Sequence, residues 1–155
     1  MIDIRIATKN DIEDLMSSRL EMLRVVNDLS DDYGYSEEII TESREYFLHG
    51  DHITVLAFDD DNVVGCASMS YMRIMPTFSH PTGKRAHLMN VYTRREYRRR
   101  GIARKMVELL IRETWKKGVT EISLDATESG RPLYESMGFT DSSECMTLVR
   151  KIEEH

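Results

Sequence analysis

Near the middle of the chain, Arg98-Arg99-Arg100-Gly101-Ile102-Ala103-Arg104 gathers four guanidinium groups and a glycine at one turn. An apolar run, Leu88 to Thr93, leads into it, and the apolar positions Ile102, Met106, Leu109 and Leu110 beyond it repeat with helical spacing. The turn is therefore read as the start of a helix. Such a start carries a partial positive charge and N–H donors without partners inside the helix, so it attracts anions. Gly101 has no Cβ, which lets a phosphate approach the main chain. The chemistry indicated is the grip of a pyrophosphate or a similar polyanion. It is neither a Walker-type loop, since GxxxxGKS/T is missing, nor a dinucleotide fingerprint, since no GxGxxG follows a strand. A solvated arginine run would share the composition; the glycine and the helix start favour a site.

The pattern Arg98-x-x-Gly101-x-Ala103 resembles motif A of the GCN5-related N-acetyltransferase (GNAT) superfamily, Q/R-x-x-G-x-G/A. Further on, Gly130 to Phe139, GRPLYESMGF, resembles motif B of the same superfamily, a helix carrying LYExxGF. The resemblance implies one α/β domain over residues 1–155, with a mixed, mostly antiparallel sheet and a splayed central strand pair. It implies acetyl-CoA as acyl donor, its pyrophosphate held by Arg98, Arg99, Arg100, Gly101, Ile102, Ala103 and Arg104. The pantetheine arm would extend the sheet along Val91, Tyr92 and Thr93, as a strand adds to an open edge. The superfamily often has glycine at the place of Arg99, and this chain departs from it there.

The reaction implied is direct attack of a primary amine on the acetyl thioester. An alkylammonium, with a pKa of about 10, must first lose a proton. His87 stands where histone-acetylating relatives carry a glutamate, and a histidine titrates near neutrality, so it is the candidate base. Glu121, Asp125 or a chain of waters are rivals. Backbone N–H near Val91 would hold the developing oxyanion, and Tyr134, at the tyrosine of motif B, would return a proton to the thiolate. A solvent-facing strand histidine and a packed helix tyrosine would read the same way in sequence.

In relatives the first two helices and the loop Pro76 to Gly83 wall the acceptor. Here Asp28, Asp31, Asp32, Glu37 and Glu38 make an acidic cluster that would steer a cationic amine. Met16, Arg19, Met22, Tyr33 and Tyr71 are candidate pocket residues. The expected acceptor is a small, cationic primary amine; a protein or peptide acceptor, a longer acyl group, or a coenzyme A sensor without turnover stay open. A homodimer is an expectation from the resemblance alone.

The elements that must position these residues follow from periodicity and punctuation. Ile2 to Ala7 alternates as a half-buried strand, and Asn10 with Glu13 makes a capping box for a helix striped by Ile12, Leu15, Met16, Leu20, Leu23 and Val26. Ser36 caps a second helix that ends at Gly50. His52 to Phe58 and Val63 to Met75 form a hairpin about Asp59 to Asn62, and Lys84 to Thr93 leads into the basic loop. Lys116-Lys117-Gly118 stops the central helix. Val119 to Ala126 is a strand, Arg131 to Met137 a short helix, and Cys145 to Lys151 a last strand that closes the sheet. The expected order is β-α-α-β-β-β-α-β-α-β.

Composition limits the alternatives. The chain has 155 residues, 41% of them hydrophobic, which suits one domain with a real core. Net charge is −6, yet Arg94 to Lys105 carries +6, so the rest carries −12. An acidic body with one basic loop suits a focused anion site and opposes a nucleic-acid surface. No apolar run is long enough for a bilayer and the first residues do not resemble a signal peptide, so a cytoplasmic protein is expected. Cys66 and Cys145 lack metal-ligand spacing and read as reduced thiols. No metal site is expected.

Overall fold

A computed structural model describes residues 1–142 and 144–151. They fall into two compact units that divide between Asp125 and Ala126. In the first, strands β1 (Ile2–Ile6), β2 (His52–Asp59), β3 (Asn62–Arg73), β4 (Lys84–Thr93) and β5 (Glu121–Leu124) lie side by side in chain order. The first four pair antiparallel, and β5 joins β4 in parallel. Three helices belong to this unit: α1 (Ile12–Val26), α2 (Glu37–His49) and α3 (Ile102–Lys116).

Alternation along β3 sorts the sheet's two faces. Cys66 packs with Leu15 and Met16 of α1 and Phe47 of α2, and Tyr46 of α2 donates its hydroxyl to Ser70 Oγ at 2.6 Å. The alternate residues turn the other way, where the Tyr71 hydroxyl meets Thr114 Oγ1 of α3 at 3.0 Å. Met69, Met106, Val107 and Leu110 are fully buried between sheet and α3. Truncating one such side chain to alanine typically costs about 2–5 kcal/mol.

Local signals hold at most ends and fail at two. Ser36 accepts from Ile39 N–H at 3.3 Å and starts α2 as expected. The box at the start of α1 is displaced. Thr8 N–H donates to the Asp11 carboxylate at 2.8 Å, and a single 3₁₀ turn precedes the helix. Arg5 fixes that choice by donating twice to Asp11, at 2.9 and 2.8 Å, and holds its carboxyl down at about 2. The expected last strand is not formed. Residues 144–151 are irregular, and Met146, Leu148 and Val149 are exposed. Alternation gives such a segment the propensity, but a strand also needs a ladder partner, and none pairs with it among the described residues. Among its described residues the second unit has one helix, α4 (Arg131–Ser136). Among the described residues no helix is long and apolar enough to cross a membrane.

The feature that matters for function is in β4. Opposite β3 the register runs Tyr92 to Cys66 and then Met89 to Ser68, so β4 carries one residue more than its partner. That is a β-bulge. Asn90 sits in it at φ 59°, in the left-handed region that asparagine tolerates better than most side chains. The parallel ladder to β5 covers Arg85 to Leu88 only, so among the described residues no strand pairs with Met89 to Thr93 on that side of the sheet. Exchange of Asn90 separates backbone from side chain. Both Asn90→Gly and Asn90→Ala lose the amide, but only alanine opposes the left-handed φ. Thermal unfolding should find the alanine variant less stable than the glycine variant by about 1 kcal/mol. Equal stabilities would mean that the bulge does not depend on that backbone state.

Candidate active site

Beyond the bulge, β4 ends at Thr93 and the chain turns through Arg95–Tyr97 into the loop before α3. Arg99 and Gly101 both adopt left-handed backbone, at φ 64° and 75°. Gly101 is the N-cap of α3, no side-chain hydrogen bond caps that helix, and no atom lies within 4 Å of where a Cβ would stand. The helix start therefore opens onto free space. Arg99 explains why glycine is favoured at its position: a side chain there works against a left-handed φ at about 1–2 kcal/mol. A neighbouring cleft of about 640 Å³ is lined by Glu21 and Arg24 of α1 and by Tyr92, Arg94, Arg95 and Arg98. Glu21 holds Arg94 through two hydrogen bonds of 3.0 Å. Arg24 is occupied by Asp31 at 2.8 Å. Arg98 donates Nε to Thr93 O at 3.0 Å, and neither it nor Arg95 has a carboxylate partner among the described residues. Burial, with Glu21 beside it, pushes the Tyr92 hydroxyl up to about 12, so it stays protonated.

These features fit a coenzyme A. An exposed stretch of strand backbone, Met89 to Thr93, runs into a helix start with open space above its glycine, and two arginines beside it lack counter-ions. A pantetheine amide chain, a pyrophosphate and their charges need those three things.

A second cavity, of about 270 Å³, lies on the α1 and α2 face of the same strand. Arg19 of α1, Glu42, Tyr46 and Phe47 of α2, Ser68 and Ser70 of β3, and Met89 and Asn90 line it. A hydrogen-bonded chain stiffens its floor. Arg19 Nη1 donates to Asn90 Oδ1 at 3.1 Å and Asn90 Nδ2 to Ser68 Oγ at 3.2 Å. Ser68 Oγ meets Thr54 Oγ1 at 2.8 Å, and Thr54 Oγ1 meets His52 Nδ1 at 3.0 Å. The bulge thus stands between the two spaces, with Asn90 on the smaller and Tyr92 on the larger. Its carbonyl accepts from the Cys66 thiol at 3.3 Å. Burial pushes that thiol up to about 11, so Cys66 is an inert part of the floor. Both cysteines are free, Cys145 being exposed.

His87 pairs across the ladder with Ser70, a cavity residue. Its Nδ1 lies 2.7 Å from Ser123 Oγ and its Nε2 3.5 Å from Asp125 Oδ2. The Asp125 carboxylate is 99% exposed, so this contact is worth under about 1 kcal/mol and serves to orient the ring. Glu121, the other rival base, is taken by Arg85. In the second unit Tyr134 lies on α4, its ring edge-on to Phe139 at 5.9 Å. Burial raises its pKa, so the hydroxyl keeps its proton at neutral pH.

Other expected pocket residues fall elsewhere. Met16 and Met22 are core, Tyr71 is on the α3 face, and Tyr33 is exposed against Tyr35. The acidic cluster lines neither cavity; Glu42 does, one helical turn beyond Glu38. Nor does the loop Pro76 to Gly83 line either. It is a tight turn closed by Ile74 N–H on Gly83 O at 2.8 Å and tied by His80 to Thr120. It precedes Lys84, and the six residues from there to the bulge span about 20 Å of strand.

The model of the Acetyltransferase (GNAT) family matches residues 21–139. None of the curated proteins matches. Among solved structures, a predicted acetyltransferase with acetyl-CoA from Clostridium acetobutylicum is 26% identical, with 96% of each chain covered and a TM-score of 0.83. A GCN5-related N-acetyltransferase from Ralstonia eutropha shares the fold at 22% identity, covering 96% of this chain and 99% of that one, with a TM-score of 0.75. So does an aminoglycoside acetyltransferase from an uncultured soil metagenomic sample in complex with sisomicin, at 12% identity, 98% and 97% coverage and a TM-score of 0.76. Since the family match runs over most of its length, this chain belongs to the GNAT family of acetyltransferases, whose acetyl donor is acetyl-CoA.

Proposed function

We propose that this acetyltransferase acts on the primary amine of a small molecule, cationic at that amine, which reaches the acetyl group at the Asn90 bulge. The observation that carries this is the bulge itself, which has an arginine-lined cleft of about 640 Å³ at Tyr92 and a mainly apolar cavity of about 270 Å³ at Asn90. The smaller space lies below the roughly 300–1,000 Å³ usual for drug-sized ligands. That favours an acceptor smaller than an aminoglycoside. The family match crosses from residue 125 into the second unit, which supports residues 1–155 acting as one domain.

Acetyl-CoA supplies an acetyl thioester, whose C–S bond gives way as the N–C bond to the amine forms. Main-chain groups of Val91, Tyr92 and Thr93 extend the sheet onto its pantetheine arm. The loop from Arg98 to Arg104, with Gly101 at its turn, holds the pyrophosphate. Arg95, which the motif does not include, adds charge at the same cleft. Backbone N–H near Val91 faces the carbonyl oxygen as negative charge develops there. His87 takes the proton that the ammonium must lose, and its contacts with Ser123 and Asp125 orient the ring for that step. Tyr134 gives a proton to the departing sulfur; its motif and a hydroxyl that burial keeps protonated support the assignment.

Acetyl-CoA at ~100 times its dissociation constant should stabilise the chain by about 2.7 kcal/mol, read as a rise in Tm. Stabilisation by short oligonucleotides instead would sink the transferase reading. His87→Ala should lower kcat by on the order of 10²-fold or more; an unchanged kcat assigns the proton to water. For Tyr134→Phe, pre-steady-state thiol release should slow by a similar factor while acetyl-CoA affinity holds. Full-rate release would leave Tyr134 a packing residue.

A further inference from the structure

Of the arginines that line the larger cleft, Arg24 is paired with Asp31 and Arg94 with Glu21. Arg95 and Arg98 stand beside the basic loop without a carboxylate among the described residues. In the smaller cavity the lining arginine is Arg19. It is half-buried on the wall of the smaller cavity, and its one hydrogen bond among the described residues goes to the neutral amide oxygen of Asn90. Glu42 lines the same cavity, but no ion pair joins the two among the described residues. Burial pushes the guanidinium pKa down, because losing water disfavours the charged form. A partly dehydrated cation facing a cavity is best satisfied by an anion, and a carboxylate matches its planar fork.

The position of that cation restricts the anion. Arg19 is one hydrogen bond from Asn90, the bulge residue, so whatever it holds lies beside the place where the amine must attack. In an α-amino acid a single carbon separates the amine from the carboxylate. A polyamine or an aminoglycoside would bring only positive charge to Arg19. A peptide N-terminus would bring a neutral amide where the free acid has a full charge. Behind Arg19, the rings of Tyr46 and Phe47 and the Met89 side chain offer apolar surface for a side chain. Resting on the acetyltransferase reading above, the geometry points to a free α-amino acid as the acceptor, its carboxylate held by Arg19 beside the bulge.

The test compares each L-amino acid with its own α-amide and its own decarboxylated amine. Dissociation constants come from titration calorimetry on the protein loaded with coenzyme A, and KM from thiol release. For the preferred side chain the acid should bind about 10- to 100-fold more tightly than the amide. Arg19→Gln should bring that ratio close to one, and Arg19→Lys should keep part of it. Because the ratio is taken within each variant, partial unfolding cannot imitate its loss. Amides or amines that bind as well as the acids would overturn the inference, as would a ratio unmoved by Arg19→Gln or binding of none of the three. If amides or amines are acetylated none the less, the acetyltransferase reading stands without this one. If acetyl-CoA itself fails to stabilise the chain, the reading beneath it fails instead.

Discussion

An antiparallel ladder that gains one residue on one strand cannot stay flat, and it cannot keep its hydrogen bonds in step on both sides. In this sheet the extra residue sits in β4 between Met89 and Tyr92. On one side β3 accommodates it, with Cys66 reaching the Asn90 carbonyl. On the other side β5 stops pairing at Leu124, opposite Leu88. Backbone polar groups without partners are costly when buried, so a strand segment left open in this way has to face water or a ligand. The amide arm of a coenzyme A would be such a ligand, as proposed above, and both cavities lie beside that opening.

Charge is arranged around the same segment. The arginines nearest α1 are neutralised by Glu21 and Asp31, which keeps part of the cleft from being repulsive to its own cations. Arg95 and Arg98 have no carboxylate partner among the described residues. Arg99 is held in a left-handed backbone at a cost of about 1–2 kcal/mol. The added guanidinium is the evident return for giving up a glycine there. The loop thus carries backbone strain together with a concentration of positive charge at the start of α3.

How much of this was legible beforehand depends on whether a signal was local. The basic loop, Gly101, the stripe of α3 and the Ser36 cap are local, and each appeared where spacing and side-chain chemistry placed it. The box at α1 moved from Asn10 to Thr8 because Arg5, a residue outside any capping pattern, claims Asp11. Alternation in residues 145–151 indicated a strand, but alternation cannot supply a neighbour. Glu42 was hidden for a similar reason: nothing in a helix stripe says which polar residue will meet a strand across a gap. One signal for the bulge was present and went unused. Asparagine is uncommon inside strands and tolerates left-handed φ, and Asn90 stands in the middle of one.

Donor and acceptor sites differ in what the sequence must conserve to keep them. In the proposed site, strand backbone, a helix start and a glycine turn would hold the donor, and backbone is common to every residue type. A fold that preserves the opening in β4 can therefore preserve coenzyme recognition while most side chains change. Solved structures at 12% and 26% identity share this fold at TM-scores of 0.76 and 0.83. The acceptor cavity has no such protection. Its walls are side chains of α1 and α2 projecting onto one face of the sheet, and one exchange at Arg19 or Glu42 alters its charge without touching the donor site. Selectivity for the amine is therefore free to vary on a nearly constant chemical platform, and it must be sought in the few charges that lie within reach of Asn90.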